Sequence, residues 1–183
     1  MTRFFDFIFS FFGLICLWPV MLILYIIGLF DTGKPIFVQE RVGKNKKPFN
    51  LIKFRTMDVN TKSVASHLAS SAQITKFGAF LRKSKLDELP QLINVLVGDM
   101  SLVGARPCLF NQTELIEERE KRGVLNHLPG ITGLGQINNV DMSTPEKLAK
   151  LDAEMYQTMS ISNYFKYIIG TVSGKGQGDA LKK

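Results

Sequence analysis

FIFSFFGLICLWPVMLILYIIGLF, residues 7–30, runs for 24 positions without a formal charge. A bilayer hydrocarbon core of ~30 Å needs about 20 such residues in a helix, so the segment is long enough to enter or cross a membrane. A cleaved secretory leader fits poorly, because the run is too long and no small-residue cleavage site follows it. A buried helix of a soluble domain also fits poorly, because every face is apolar. Pro19 falls mid-run, where proline removes a backbone hydrogen bond and crowds the carbonyl four residues back. Two arrangements follow: a spanning helix with a tolerated kink, or a helix–break–helix that returns to the face it came from. Arg3 precedes the run, whereas Lys34, Arg41, Lys44, Lys46 and Lys47 follow it. The positive-inside bias predicts a cytoplasmic body in both arrangements, and only the side of Met1 differs.

The chain has 183 residues, about one domain's worth, with 23 Lys+Arg against 16 Asp+Glu and a net charge of +7. With 45% hydrophobic and 21% charged residues, a solvated disordered chain is excluded. Two cysteines, Cys16 in the apolar run and Cys108 in a polar loop, and two histidines cannot build a disulfide scaffold or a four-ligand zinc site. Mean hydropathy is +0.08, an average that hides the split near Asp31. The predicted division is a membrane helix over 1–31, a cytosolic body over 32–172 and a flexible Gly/Lys-rich tail over 173–183.

Beyond the anchor, IFVQERV (36–42), GKNKK (43–47) and PFNLIKFR (48–55) read as strand, turn and strand. Alternation places Lys53 and Arg55 on one face with Phe49 and Leu51, opposite Asn50, Ile52 and Phe54. Residues 58–72 are Ser/Ala-rich and read as a mobile loop, with His67 on its surface. Ile74, Phe77 and Leu81 recur at helical spacing. DELPQLINVLVGDM (87–100) predicts a helix with Pro90 in its first turn, an apolar stripe of Leu89, Leu92, Ile93 and Leu96, and Gly98-Asp99 as its close. Asn111 and Glu114 read as a capping pair for a charged helix ending at Gly123, with Glu117–Lys121 and Glu118–Arg122 across its exposed side. LPGITGLGQIN (128–138) is a shaped loop. Thr144-Pro145 starts a helix with Leu148, Leu151 and Met155 on one face, and ISNYFKYIIGTV (161–172) has the composition of an interfacial helix. The fold class is mainly helical α+β.

The densest chemical cluster is Arg82–Asp87–Glu88. Adjacent carboxylates in a first helical turn are favoured by the helix dipole, and simple charge placement explains them equally well. The surrounding cations, Arg82, Lys83, Lys85, Lys53, Arg55 and Arg106, instead suggest a site for a phosphate ester and a divalent metal. An aspartate there can serve as a covalent nucleophile, with its neighbours expected to keep it ionised.

In order, the anchor, KFRTM (53–57), LRKSKLDELPQLINVLVGDMSLVGARP (81–107) and PGITGLGQIN (129–138) resemble the bacterial sugar transferases. More narrowly, they resemble the small monotopic phosphoglycosyl transferases that begin glycan assembly on polyprenyl phosphate. The resemblance covers nearly the whole chain. It implies an N-terminal re-entrant helix, a small β-hairpin and a helical catalytic body with interfacial amphipathic helices, on the cytoplasmic face of the bacterial inner membrane. It implies transfer of a sugar 1-phosphate from a UDP-sugar to polyprenyl (undecaprenyl) phosphate, with release of UMP and Mg²⁺ as cofactor. The partners implied are those two substrates and inner-membrane lipid, with room for a homo-oligomer and no role for nucleic acid.

Position by position, the resemblance makes Asp87 the nucleophile and a metal ligand, with Glu88 completing the dyad. Arg82 becomes a phosphate clamp, and Lys53, Arg55 and Arg106 become phosphate or nucleotide contacts. Gln136 and Asn138 shape the glycine loop, Gln136 being also a candidate nucleotide contact, and Asp99 is either structural or part of the site. Pro19 marks the helix break. The chain departs from the family pattern at Trp18, where a serine precedes the proline, at Ala105 in the Arg-Pro loop, and at Leu128 and Leu134-Gly135. The competing function is a non-catalytic membrane scaffold whose basic face binds anionic lipid, in which the carboxylates do not matter. Nucleic-acid binding rests on net charge alone, with no reading motif behind it.

Overall fold

Helix α1 (Thr2–Thr32) continues through Pro19 without a break, in a computed structural model that describes residues 2–61 and 73–173. At 1.5 Å per residue it is about 46 Å long. Its buried positions are Asp6, Ser10, Leu24 and Gly28. Between them a Cβ on Gly13 would lie 3.3 Å from Leu92, and Met21 packs beside Leu24. Spacings of three, four and eight residues put these on one helix face. That face begins with polar and small residues, Asp6, Ser10 and Gly13, and continues with Met21, Leu24 and Gly28. The remaining faces expose Phe4, Phe7, Phe12, Trp18, Ile23 and Phe30.

Both ends of α1 are fastened to the same body. Near its start, Arg3 donates to the carbonyls of Val95 and Met100, the latter at 2.9 Å. Asp6, fully buried, accepts from the Ser101 hydroxyl, the Leu102 N–H (2.9 Å) and the Tyr164 hydroxyl (2.8 Å). Near its end, Leu24 packs with Phe54 and Leu81, and Asp31 accepts from the Thr75 hydroxyl at 2.7 Å.

The hairpin forms as read. Strands β1 (Ile36–Val42) and β2 (Pro48–Phe54) pair antiparallel, Phe37 opposite Lys53, around a 3-10 turn at Lys44–Lys46. Its two faces are both covered at the far end. Phe49 and Leu51 pack with Val95 and Met100, while Phe54, on the opposite face, packs with Leu24 and Leu81. Simple alternation anticipates one buried face. Here α1 and α2 (Lys76–Ser84) close the second.

Helix α3 (Gln91–Val97) is shorter than the 87–100 reading. Its buried positions are Gln91, Asn94 and Val95, whereas Ile93 and Val97 are exposed. Apolar residues mark more than one face of this helix, so periodicity alone misassigns its core side. The chain then passes through β3 (Ser101–Val103), α4 (Thr113–Lys121), β4 (Gly130–Thr132) and α5 (Leu134–Ile137). Helices α6 (Pro145–Gln157) and α7 (Ile161–Val172) complete it. The two short strands β3 and β4 pair in parallel, a contact no local pattern announces.

Helix α4 lacks the Asn111 cap: Gln112 occupies the N-cap, and its side chain accepts from Leu109 N–H instead. The helix ends at Lys121 with Arg122 as its C-cap, and Gly123 just beyond takes φ +70° as only glycine does freely. Glu118 bridges both Arg122 and Lys121, while Glu117 acts on Lys121 as a weaker charge neighbour. Pro145 opens α6, with Leu148 and Met155 buried. Helix α7 buries Tyr164, Tyr167 and Gly170 and exposes Ile161, Ile169 and Val172. Cys16 is exposed and Cys108 buried, and neither is in a disulfide. His67, most of the 58–72 loop and the tail after Ser173 lie outside the described residues.

Candidate active site

The acidic pair sits in a turn of its own. Helix α2 is stopped by Lys85 in the left-handed conformation (φ +58°), and a 3-10 turn at Leu86–Glu88 follows before Pro90 caps α3. Asp87 and Glu88 thus lie in the 3-10 turn that leads into α3 and not in α3 itself, which begins at Gln91. Leu86 and Leu89 pack into the Leu24–Phe54–Leu81 cluster and anchor the turn from both sides. Asp87 is buried, at 8% exposure.

Three separate elements bring cations to it. Helix α2 approaches β2 so closely that a Cβ on Gly78 would fall 2.0 Å from the Thr56 carbonyl oxygen. That approach lets Arg82 Nε donate to Thr56 Oγ1 at 2.9 Å, while Arg82 Nη1 is buried with no hydrogen-bond partner. A guanidinium nitrogen in that state is oriented for an acceptor that a ligand would bring. Strand β2 carries Lys53, whose Nζ stands 5.6 Å from the Phe37 ring centre. The strand edge is pinned to α3 by Asn94, which accepts from Ile52 N–H (3.0 Å) and donates to the Asn50 carbonyl (2.8 Å). Arg106, in the loop after β3, reaches Glu88 Oε1 at 2.7 Å.

The electrostatics of Asp87 differ from the expectation that its neighbours keep it ionised. Burial pushes its carboxyl up to about 7, and the Glu88 carboxylate pushes the same way, while Lys53, Arg106 and Arg82 pull it down. Taking a carboxylate out of water outweighs the three cations at their distances. Lys53, Arg82, Arg106 and Glu88 thus act together on the Asp87 carboxyl.

Arg55 does not join them: its Nε donates to the Lys34 carbonyl at 2.8 Å, and it lies 5.1 Å over Phe37. Gln136 donates to the Ile131 carbonyl and Asn138 to that of Leu134, so both shape the glycine loop. Asp99 accepts from Asn94 Nδ2 at 3.4 Å, a contact within the close of α3. Sequence reasoning missed Arg119 and Asp152, a buried pair joining α4 to α6 at 2.7 Å. Arg119 sits in EEREK, where charge density disguises an interior residue as a solvated one. It also missed Tyr156, whose hydroxyl burial holds protonated well above the usual tyrosine range.

The residues fit a divalent cation of the magnesium type. Such an ion takes one or two carboxylates and completes its shell with water and substrate phosphate oxygens. Asp87 and Glu88 supply two carboxylates on consecutive residues. Among the described residues no group of three acidic, histidine or cysteine side chains could hold a metal without substrate.

The chain thus combines an N-terminal helix long and apolar enough to cross a membrane with an acidic pair, Asp87 and Glu88, approached by three cations from separate elements. The chain belongs to the bacterial sugar transferase family, whose model matches residues 1–176. A Bacillus subtilis protein named as an uncharacterized sugar transferase, EpsL, is 40% identical over 155 residues, 83% of this chain and 75% of that protein. The UDP-glucose:undecaprenyl-phosphate glucose-1-phosphate transferase of Escherichia coli is 39% identical over 155 residues, 80% of this chain and 33% of that protein. The undecaprenyl-phosphate galactose phosphotransferase of Salmonella typhimurium is 37% identical over 164 residues, 79% of this chain and 34% of that protein. The chain therefore spans about a third of the length of the latter two relatives.

Proposed function

We propose that this chain transfers a sugar 1-phosphate from a UDP-sugar to undecaprenyl phosphate, releasing UMP, at the cytoplasmic face of the bacterial inner membrane. The observation that carries the reading is the convergence of Lys53, Arg82 and Arg106 on buried Asp87 and its half-buried neighbour Glu88, with Arg82 Nη1 left unpartnered. The names of the relatives, which act on UDP-sugar and undecaprenyl phosphate, support the substrates.

The chemistry runs in two displacements. Ionised Asp87 attacks the sugar-bearing β-phosphorus of the donor. The bond from that phosphorus to the bridging oxygen breaks, and UMP departs with the oxygen. The phosphosugar remains on Asp87 as an acyl phosphate. A phosphate oxygen of the polyprenyl acceptor then attacks the same phosphorus, the Asp87–phosphorus bond breaks, and the polyprenyl-diphosphosugar leaves. Arg82 and Lys53 hold the donor diphosphate, and Arg106 orients Glu88. Asp87 and Glu88 would hold a magnesium ion, which would supply neutralisation of the diphosphate charge.

The anchor enters the membrane with both ends on the side of the body. Support comes from Arg3 and Asp6 at one end of α1 and Leu24 and Asp31 at the other, all seated on one body. A helix that crossed the bilayer would carry one of those ends away from its partners. The exposed Ile161, Ile169 and Val172 of α7 add apolar surface suited to the interface.

Incubation of the purified chain with UDP-glucose or UDP-galactose alone tests the covalent step. A UMP burst of at most one per site, with a hydroxylamine-labile phosphosugar left on the protein, is expected. A donor panel that yields neither burst nor turnover with undecaprenyl phosphate refutes the reading.

A further inference from the structure

The loop carrying Arg106 has no helix or ladder of its own, residues 105–109 being irregular. It is held from behind, group by group. The Ala105 N–H donates to the Tyr156 hydroxyl at 2.9 Å, and that hydroxyl donates onward to the Leu128 carbonyl at 2.8 Å. Arg119 Nη1 donates to the Arg106 carbonyl itself at 2.8 Å. Its Nε and Nη2 are both held by Asp152 Oδ2, at 2.9 and 2.7 Å. Arg41 Nη1 donates to the Pro107 carbonyl at 3.0 Å. Three consecutive residues thus have a backbone group bound by a buried or half-buried side chain, and none of those side chains belongs to the acidic turn. Arg119 and Asp152 are 2% and 0% exposed, so the holding pair is cut off from solvent.

We propose that Tyr156 and the Arg119–Asp152 pair are positioning residues, which set the guanidinium of Arg106 against Glu88 for the transfer reaction; the proposal rests on the transferase reading above. Neither touches the dyad. Their effect passes through the backbone of Ala105 and Arg106 to the 2.7 Å contact with Glu88. Bidentate and charge-assisted contacts depend on direction as well as distance, and a misplacement of ~1 Å in a reacting array costs about a hundredfold in rate. Tyr156 also bridges the loop after β3 to Leu128 at the edge of the glycine loop, so one hydroxyl sets the spacing of the two. Its ring is retained independently of the hydroxyl by stacking on His127, with centroids 4.2 Å apart and planes 12° apart. Removal of the hydroxyl therefore isolates positioning from packing. A cavity of about 230 Å³ lined by Arg122, His127, Ala153 and Tyr156 lies against this ring and includes none of the dyad.

The test is a double-mutant cycle on the full chain in detergent, reading UMP release from UDP-glucose and UDP-galactose with undecaprenyl phosphate. Tyr156→Phe should fold with the parent's far-UV circular dichroism and lower kcat by about 10- to 100-fold. Arg119→Lys should act in the same direction. In an Arg106→Ala background Tyr156→Phe should produce no further loss, because the group it positions is gone. A Tyr156→Phe chain at the parent rate, or a full additional loss in the Arg106→Ala background, overturns the positioning role and leaves the transferase reading standing. If Tyr156→Phe does not fold, Arg119→Lys carries the same comparison. A parent chain that releases no UMP from any donor overturns the transferase reading and the positioning role with it.

Discussion

Arg106 Nη2 stands 2.7 Å from Glu88 Oε1, joining the loop after β3 to the acidic turn that precedes α3. Both side chains are largely shielded, at 25% and 16% exposure, so the contact is stronger than a surface pair. It makes the dyad a property of two distant chain segments.

Arg106→Ala should therefore do more than remove one positive charge. It leaves Glu88 without its partner beside a second carboxylate, and the first half-reaction should slow by about 10²–10³-fold. Single-turnover UMP release checks this. Rapid release at the parent rate would show that Arg106 has no part in donor chemistry.

Asp87→Asn should abolish the covalent adduct and turnover together, while changing the pH dependence of stability in a defined direction. The Asp87 value of about 7 in the folded chain lies above the ordinary 3.8. The folded chain then holds a proton that the unfolded chain releases between about pH 4 and 7. The stability this group contributes is full below pH 4 and is lost as pH rises to 7. The Asn variant lacks that loss, so it should gain on the parent by up to ~1.4 kcal/mol per pH unit across this window and stay level above it. Thermal melts of the two chains in detergent at matched pH measure the difference. Adduct formation by the parent should meanwhile rise with pH through about 7 as Asp87 ionises.

Removal of Mg²⁺ should stop UMP release, since two polyanionic substrates must otherwise approach a carboxylate nucleophile uncompensated. Undiminished turnover in excess EDTA would leave Arg82, Lys53 and Arg106 as the whole electrostatic apparatus.

The anchor should place residues 2 and 183 on one side of the membrane. A cysteine at position 2, in a chain with Cys16 and Cys108 replaced by serine, should resist an impermeant thiol reagent in intact cells and react after lysis. Labelling from outside would mean a spanning helix and an Asp6 contact that does not exist in the membrane. Asp6→Ala should destabilise the seat of α1, because it strands the buried Tyr164 hydroxyl and the Leu102 N–H without an acceptor.

Much of this molecule is local chemistry and so is visible along the chain. The anchor reads from an uninterrupted apolar run, the hairpin from β-branched and aromatic flanks around GKNKK, and the start of α6 from Thr144-Pro145. Asp87, Glu88 and Arg82 read as a cluster because they lie within one or two turns of each other. Arg106 and Lys53 are expected only as phosphate or nucleotide contacts, and the fold alone supplies the pairing of Arg106 with Glu88 and the approach of Lys53 to Asp87.

What the tertiary structure alone decided is which charges are inside. Asp6, Arg41, Arg119 and Asp152 are buried, yet each sits in a segment whose local pattern offers no reason to bury it. A charge goes inside when a partner from a remote segment satisfies it, as Asp152 does for Arg119 and Tyr164 for Asp6 across 158 positions. Local periodicity cannot register such a partner. The same holds for Phe54, whose burial depends on α1 and α2 arriving on the second face of the hairpin. The elevated carboxyl of Asp87 also belongs to the fold, because desolvation is a property of everything that surrounds the group and adjacent residues supply only part of it.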